Sequence, residues 1–142
     1  MYRTPIGKAV VRREGTDVTV VAAAIMVHKA LEAAEILAAE GINVEVIDLR
    51  SIRPIDSATI IESVKKTTRL AVVYEGVKTL GIGAEISAMV AESEAFDYLD
   101  APILRMGGVE SPIPYSPILE KAAVPQVGGI VESLRKLVQG GI

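Results

Sequence analysis

Apolar residues along this chain follow two alternating rhythms. Short runs dense in valine and isoleucine are separated by longer stretches in which apolar positions recur every three or four residues, an alternation that predicts strands and helices in turn. Lys8 to Arg12 reads as a short strand entered from Pro5. After the polar turn Arg13-Glu14-Gly15, Asp17 to Ala24 is a second strand, apolar enough to expect cover on both faces. From Val27 to Glu40, the residues Val27, Ala30, Leu31, Ala34, Leu37 and Ala38 line one helical face, and Gly41 stands where a helix stops. Asn43 to Leu49 is the next core strand, running into the polar loop Arg50 to Pro54. Asp56 can cap a helix over Ser57 to Lys66, because its carboxylate can accept from the unsatisfied amides of the first turn.

The second half repeats the alternation. Arg69 to Glu75 is a strand, Gly76 to Gly83 a glycine-rich loop, and Ala84 to about Ser93 a helix. Ile103 to Met106 is a short strand broken by Gly107-Gly108. Pro112, Pro114, Pro117 and Pro125 hold an irregular stretch with room for one short helical turn, and a last helix runs from about Val127 to Val138 before Gly140-Gly141. Strand and helix in alternation imply crossovers, so the expected fold is α/β: a three-layer α/β/α arrangement around a mostly parallel, about five-stranded twisted sheet. Residues 1–142 are expected to form a single domain.

Composition narrows the function. A net charge of −3 gives no attraction to phosphate backbones or anionic lipid, which leaves nucleic acid and membrane out of the expected partners. The chain has no cysteine, which excludes disulfides, thiolate metal sites and cysteine nucleophiles. Met1 to Gly7 does not read as a signal sequence, and no window approaches the length of a membrane helix. The expectation is a protein of the cytoplasm.

Candidate chemistry is sparse. His28 is the only histidine; it falls after a core strand at a helix start, where open α/β sheets gather ligands, but a local hydrogen bond is the simpler role. Gly81-Ile82-Gly83 before a helix has part of a phosphate-binding loop, yet Ile86 stands where a dinucleotide fingerprint wants a third glycine, and a tight turn with close packing fits better. Asp48, Arg50 and Arg53 could form an anion pocket or pin their own loop, with the loop favoured. The carboxylates Glu92, Glu94, Asp97 and Asp100 make either a solvated face or a surface for a basic partner. Glu75 has no second carboxylate at fixed spacing, so no acid and base pair declares itself.

Val44 to Asp56, VEVIDLRSIRPID, resembles the C-terminal domain shared by transketolase-like enzymes, and most of all the β subunits of pyruvate and related 2-oxoacid dehydrogenases. Tyr2 to Ala9, Met26 to Ala34, Gly81 to Ile86, Phe96 to Pro102 and Pro112 to Tyr115 extend the resemblance over nearly the whole chain. The resemblance implies that this domain binds no cofactor and holds no catalytic residue. Thiamine diphosphate and Mg belong to the full enzyme, which decarboxylates a 2-oxoacid oxidatively and passes the acyl group to lipoyl groups, and His28 does not inherit the family's catalytic histidine. Met1 stands immediately before the usual domain junction, which suggests a chain trimmed from a longer β subunit.

What the resemblance leaves for this domain is assembly. The implied partners are the E1 α subunit, a second β subunit in an α2β2 heterotetramer, and in some members the peripheral binding domain of the E2 acyltransferase. For that last partner the implied contacts are Asp100, directly before Ala101-Pro102, and the carboxylate of Ile142. Pyruvate is the first choice of substrate, ahead of branched-chain and acetoin types. The alternative is a stand-alone module binding an anion or nucleotide through the loops around Met26 to His28, Arg50 to Arg53 and Gly76 to Gly83.

Overall fold

A computed structural model of the chain describes residues 3–140. Five strands form one sheet: β1 (Val10–Arg13), β2 (Val18–Ala22), β3 (Val44–Asp48), β4 (Leu70–Val77) and β5 (Leu104–Gly108), in the order β1-β3-β2-β4-β5. The pairs β2–β3, β2–β4 and β4–β5 are parallel, while β1 closes one edge antiparallel to β3 with a bulge between Val11 and Arg13. The helices are α1 (Ile25–Ala38), α2 (Ser57–Thr67), α3 (Ile82–Ala91), α4 (Pro117–Ala123) and α5 (Val127–Gln139). Among the described residues no helix is long and apolar enough to cross a membrane.

Residues that alternate along the strands feed two cores. Val18, Val20, Val44, Val46 and Val73 point to one face and pack against Met26, Ala30 and Leu37 of α1 and Ile130 and Leu134 of α5. Val21, Ile47, Val72 and Tyr74 point to the other, against Ile60 and Val64 of α2 and Ile86 and Val90 of α3. Both faces are covered, which is why β2 is buried at every position and carries no polar alternation. Asp56 caps α2 as its position predicts: Oδ1 accepts from Thr59 N–H at 3.3 Å, and Oδ2 accepts from the Ala9 N–H at 3.0 Å, tying the helix start to the segment before β1.

The structure departs from the sequence reading at the glycines. β4 runs on through Gly76 to Val77, and β5 through Gly107 and Gly108, where a loop and a break are expected. The reason is close approach: a Cβ on Gly107 would stand 2.7 Å from the Gly76 carbonyl oxygen, and one on Gly108 would collide with that of Glu75. Here glycine admits a neighbouring strand rather than ending one. Helix α3 begins at Ile82, inside the expected loop, and a 3₁₀ turn over Glu94–Tyr98 was not foreseen.

Candidate functional site

In a doubly covered sheet of this order the crevice lies at the carboxyl ends of β2 and β4, where successive crossovers turn opposite ways. His28, Asp48, Arg50, Arg53, Glu75 and the Gly81–Gly83 turn lie near that end, but they do not converge on a reaction centre. After β2 the backbone turns sharply through Ala24 at φ 52°, ψ −132°, a conformation costly for a residue with a Cβ, and enters α1. Met26 is buried in the core, and His28 lies exposed on α1. No described residue hydrogen-bonds the His28 ring.

After β3, Asp48 does the pinning that its sequence neighbours allow. Its carboxylate lies 3.5 Å from the Arg12 guanidinium and 3.8 Å from that of Arg50, and it accepts the Arg50 backbone N–H at 3.1 Å. Arg50, held at φ 55°, is thereby committed to its own loop. Arg53 stays outside this pair and lines an open hollow of about 540 Å³ with Ile52, Ile55, Ile82 and Glu85. Glu85 sits in the first turn of α3, so a carboxylate already occupies the favourable position beside the helix's positive end.

After β4, the glycines serve packing. Tyr74 is only 5% exposed, and its ring lies against Gly81 and Gly83; a Cβ on Gly83 would fall 2.8 Å from the phenolic oxygen. The space that a phosphate would need is filled by an aromatic ring, and the hydroxyl beneath it is buried without a hydrogen-bond partner. Glu75 is exposed and stands alone. Among the described residues no three side chains of metal-ligating type stand together.

What this end does present is apolar surface. Leu80, at φ 56°, is 98% exposed, and Val109, Ile113, Tyr115, Ile118 and Leu119 are also exposed. Glu110 brackets the two loops together, its Oε1 accepting the Thr79 backbone N–H and hydroxyl, each at 3.0 Å. Those bonds, the backbone one first, hold the Glu110 carboxyl below its ordinary pKa. Several large exposed apolar side chains at one end of a folded domain suit contact with another protein surface. The sequence names Ile113 and Tyr115 only within the resemblance at Pro112 to Tyr115, because a proline-rich stretch shows no period from which cover can be inferred.

The opposite end of the sheet is built from polar groups. Glu45, at 1% exposure, accepts from the Gly15 N–H at 3.1 Å and from Ser63 Oγ at 2.5 Å, and forms an ion pair with Lys66. Thr19 Oγ1 lies 2.6 Å from both Ser63 Oγ and Thr67 Oγ1, which continues the network inward. The bond to Glu45, followed by that to Glu14, raises the Lys66 pKa above its ordinary value. A groove of about 600 Å³ opens here between β1 and α2, lined by Val11, Glu14, Thr59 and Lys66 among others. Sequence reasoning did not single out Glu45, although a charge inside the run Val44 to Ile47 was the available signal.

Asp100 is near this amino end as well. Its backbone N–H donates to the Thr68 carbonyl at 2.9 Å while the side chain is exposed. A shallow hollow of about 140 Å³ beside it is lined by Ala101, Pro102, Leu137 and Gly140. The neighbouring acidic segment is partly engaged, since Lys65 binds Glu94 at 3.1 Å and Glu62 at 3.2 Å and lies 5.6 Å from the Tyr98 ring centre. Ile142, the other nominated contact, lies outside the described residues.

Comparison with known proteins agrees with this geometry. Residues 7–130 match the family model described as transketolase, C-terminal domain. The pyruvate dehydrogenase E1 component subunit beta, mitochondrial, of Dictyostelium discoideum is 55% identical over 138 residues, covering 97% of this chain and 38% of that protein. The subunit beta of Rickettsia bellii is 52% identical over 133 residues, covering 94% and 41%. A solved structure described as a split gene transketolase, inactive β4 tetramer, superposes with a TM-score of 0.83 at 30% identity, covering 97% of this chain and 43% of that one. The chain thus spans little more than a third of the length of the curated relatives it matches.

These relatives overturn the expected cytoplasmic location. Several of them are named as mitochondrial, those of Dictyostelium discoideum, Oryza sativa, Arabidopsis thaliana and Pisum sativum included. Charge and hydropathy of a folded domain are compatible with either compartment, so they carried no information about the address.

Proposed function

This chain belongs to the family of transketolase C-terminal domains, and from that premise we propose that it is the non-catalytic assembly domain of a β subunit in a thiamine-diphosphate-dependent pyruvate dehydrogenase. The observation that carries the proposal is the contrast at the carboxyl ends of the strands: Asp48 and Arg50 are spent on their own loop and the exposed His28 and Glu75 have no polar side-chain partner among the described residues, while Leu80, Ile113, Tyr115 and Ile118 are bare. A domain that made its own active site would present convergent donors and titratable groups in that crevice. Its residues do not fit thiamine diphosphate and magnesium. Arg50 is held by Asp48, Tyr74 fills the turn before α3, and no metal-ligating trio stands among the described residues. No step of the decarboxylation is therefore routed through this domain.

The complete β subunit would meet an E1 α subunit and a second β subunit in an α2β2 assembly, the cofactor being bound outside this domain. The apolar carboxyl-end face suits subunit contact, whereas Asp100 suits the basic peripheral domain of an E2 acyltransferase. A lysine or arginine laid across Ala101 and Pro102 would keep its stem on apolar surface and its charge beside the Asp100 carboxylate. Ile142 is proposed for the same contact.

The test is to capture the native polypeptide from its source cells with an antibody raised against this chain. A species of roughly 35 kDa, two ordinary domains, that brings an α-type chain with it is the expected result. A native species of 15.0 kDa without a copurifying subunit would overturn the proposal, and calorimetric titration with nucleotides would then test a stand-alone anion-binding module.

A further inference from the structure

We draw no further inference here: the strongest candidate, the apolar face formed by Leu80, Val109, Ile113, Tyr115 and Ile118 at the carboxyl ends of β4 and β5, belongs to the site already described, and nothing in the structure shows which chain covers it.

Discussion

The two ends of the sheet solve opposite problems. At the amino end a buried carboxylate, an ammonium and three hydroxyls satisfy one another, with Glu45 accepting from Gly15 in the turn before β2 and from Ser63 and Lys66, both on α2. At the carboxyl end, large apolar side chains stand in water on loops with positive φ at Ala24, Arg50 and Leu80, a conformation that Thr68 shares at the amino end. The first end is closed, because the groups of this network find their partners inside the domain, although Arg69 Nε just before β4 is buried without one. The second is open, because its costs are left for another surface to offset. A domain can therefore be read as a component when one of its ends is finished and the other is not.

The hardest test of that contrast strikes the closed end. Replacing Glu45 by alanine removes the acceptor for an amide, a hydroxyl and an ammonium at once, and breaking a buried pair is costly because the remaining groups lose their partner. Lys66 is less buried and can turn to water, so the expected loss is at the low end of that range, about 3 kcal/mol. Urea unfolding of the variant against the parent chain measures it. A loss below about 0.5 kcal/mol, the range of ordinary surface changes, would mean that the network is incidental and the two ends are not different in kind.

At the open end the expected signature is reversed: binding changes and folding does not. Tyr115→Ala in the complete β subunit should leave its unfolding midpoint in place, since the side chain rests on nothing in this domain. It should weaken association with the α subunit by about 2 kcal/mol, roughly thirtyfold, if Tyr115 is an anchor of the interface. Analytical ultracentrifugation over a concentration series reads the dissociation constant. An unchanged constant removes Tyr115 from the contact, and a lowered midpoint would show that the loop supports the fold instead.

Between these extremes lies the cap of α2, which gives the contrast a pH dependence. Burial pushes the Asp56 carboxyl up, but the Ala9 amide and the Thr59 hydroxyl and amide together outweigh it, and its pKa lies below the ordinary 3.8. A lowered carboxyl stabilises the fold fully above the unfolded value and loses that contribution as pH falls through the folded one. Asp56→Ala should thus cost about 1 kcal/mol at neutral pH, the typical worth of such a cap. The gap between variant and parent should close as the pH drops well below 3.8. A gap that persists at low pH would show that packing, not the charge, is what Asp56 contributes.

How far the sequence could be read follows the same division. Periodicity located each core strand and the helices α1, α2 and α5 to within about two residues, because burial on both faces writes itself directly into valine runs and helical stripes. It stopped β4 and β5 two residues short, where Gly76, Gly107 and Gly108 answer to a neighbouring backbone that no local pattern reveals. Asp56 was legible because its partner Thr59 lies within the same turn. Glu45 was not, since Gly15, Ser63 and Lys66 come together only in the fold. Which residues make the apolar face was not legible for a further reason: exposure of Ile113 and Tyr115 is a property of what is not packed on them, and the sequence around them has no period to break.

The smallest effect sharpens the contrast most, because it separates stability from association at one residue. Leu80 combines a left-handed backbone with a side chain that is almost fully exposed, so within this domain it bears a conformational cost and returns no contact. Left-handed backbone costs a residue with a Cβ roughly 1–2 kcal/mol, and glycine recovers that while losing about 0.5–1 kcal/mol through its freer unfolded chain. Leu80→Gly should then stabilise the domain by about 0.5 kcal/mol. The same substitution deletes the most exposed aliphatic side chain of the open face, so association with the α subunit should weaken. Opposite signs from unfolding and from ultracentrifugation would mean that Leu80 is retained for its partner at the domain's own cost. If the variant is instead less stable, the Glu110 bracket around Thr79 relies on Leu80, and the open end is more nearly self-sufficient than its exposed surface implies.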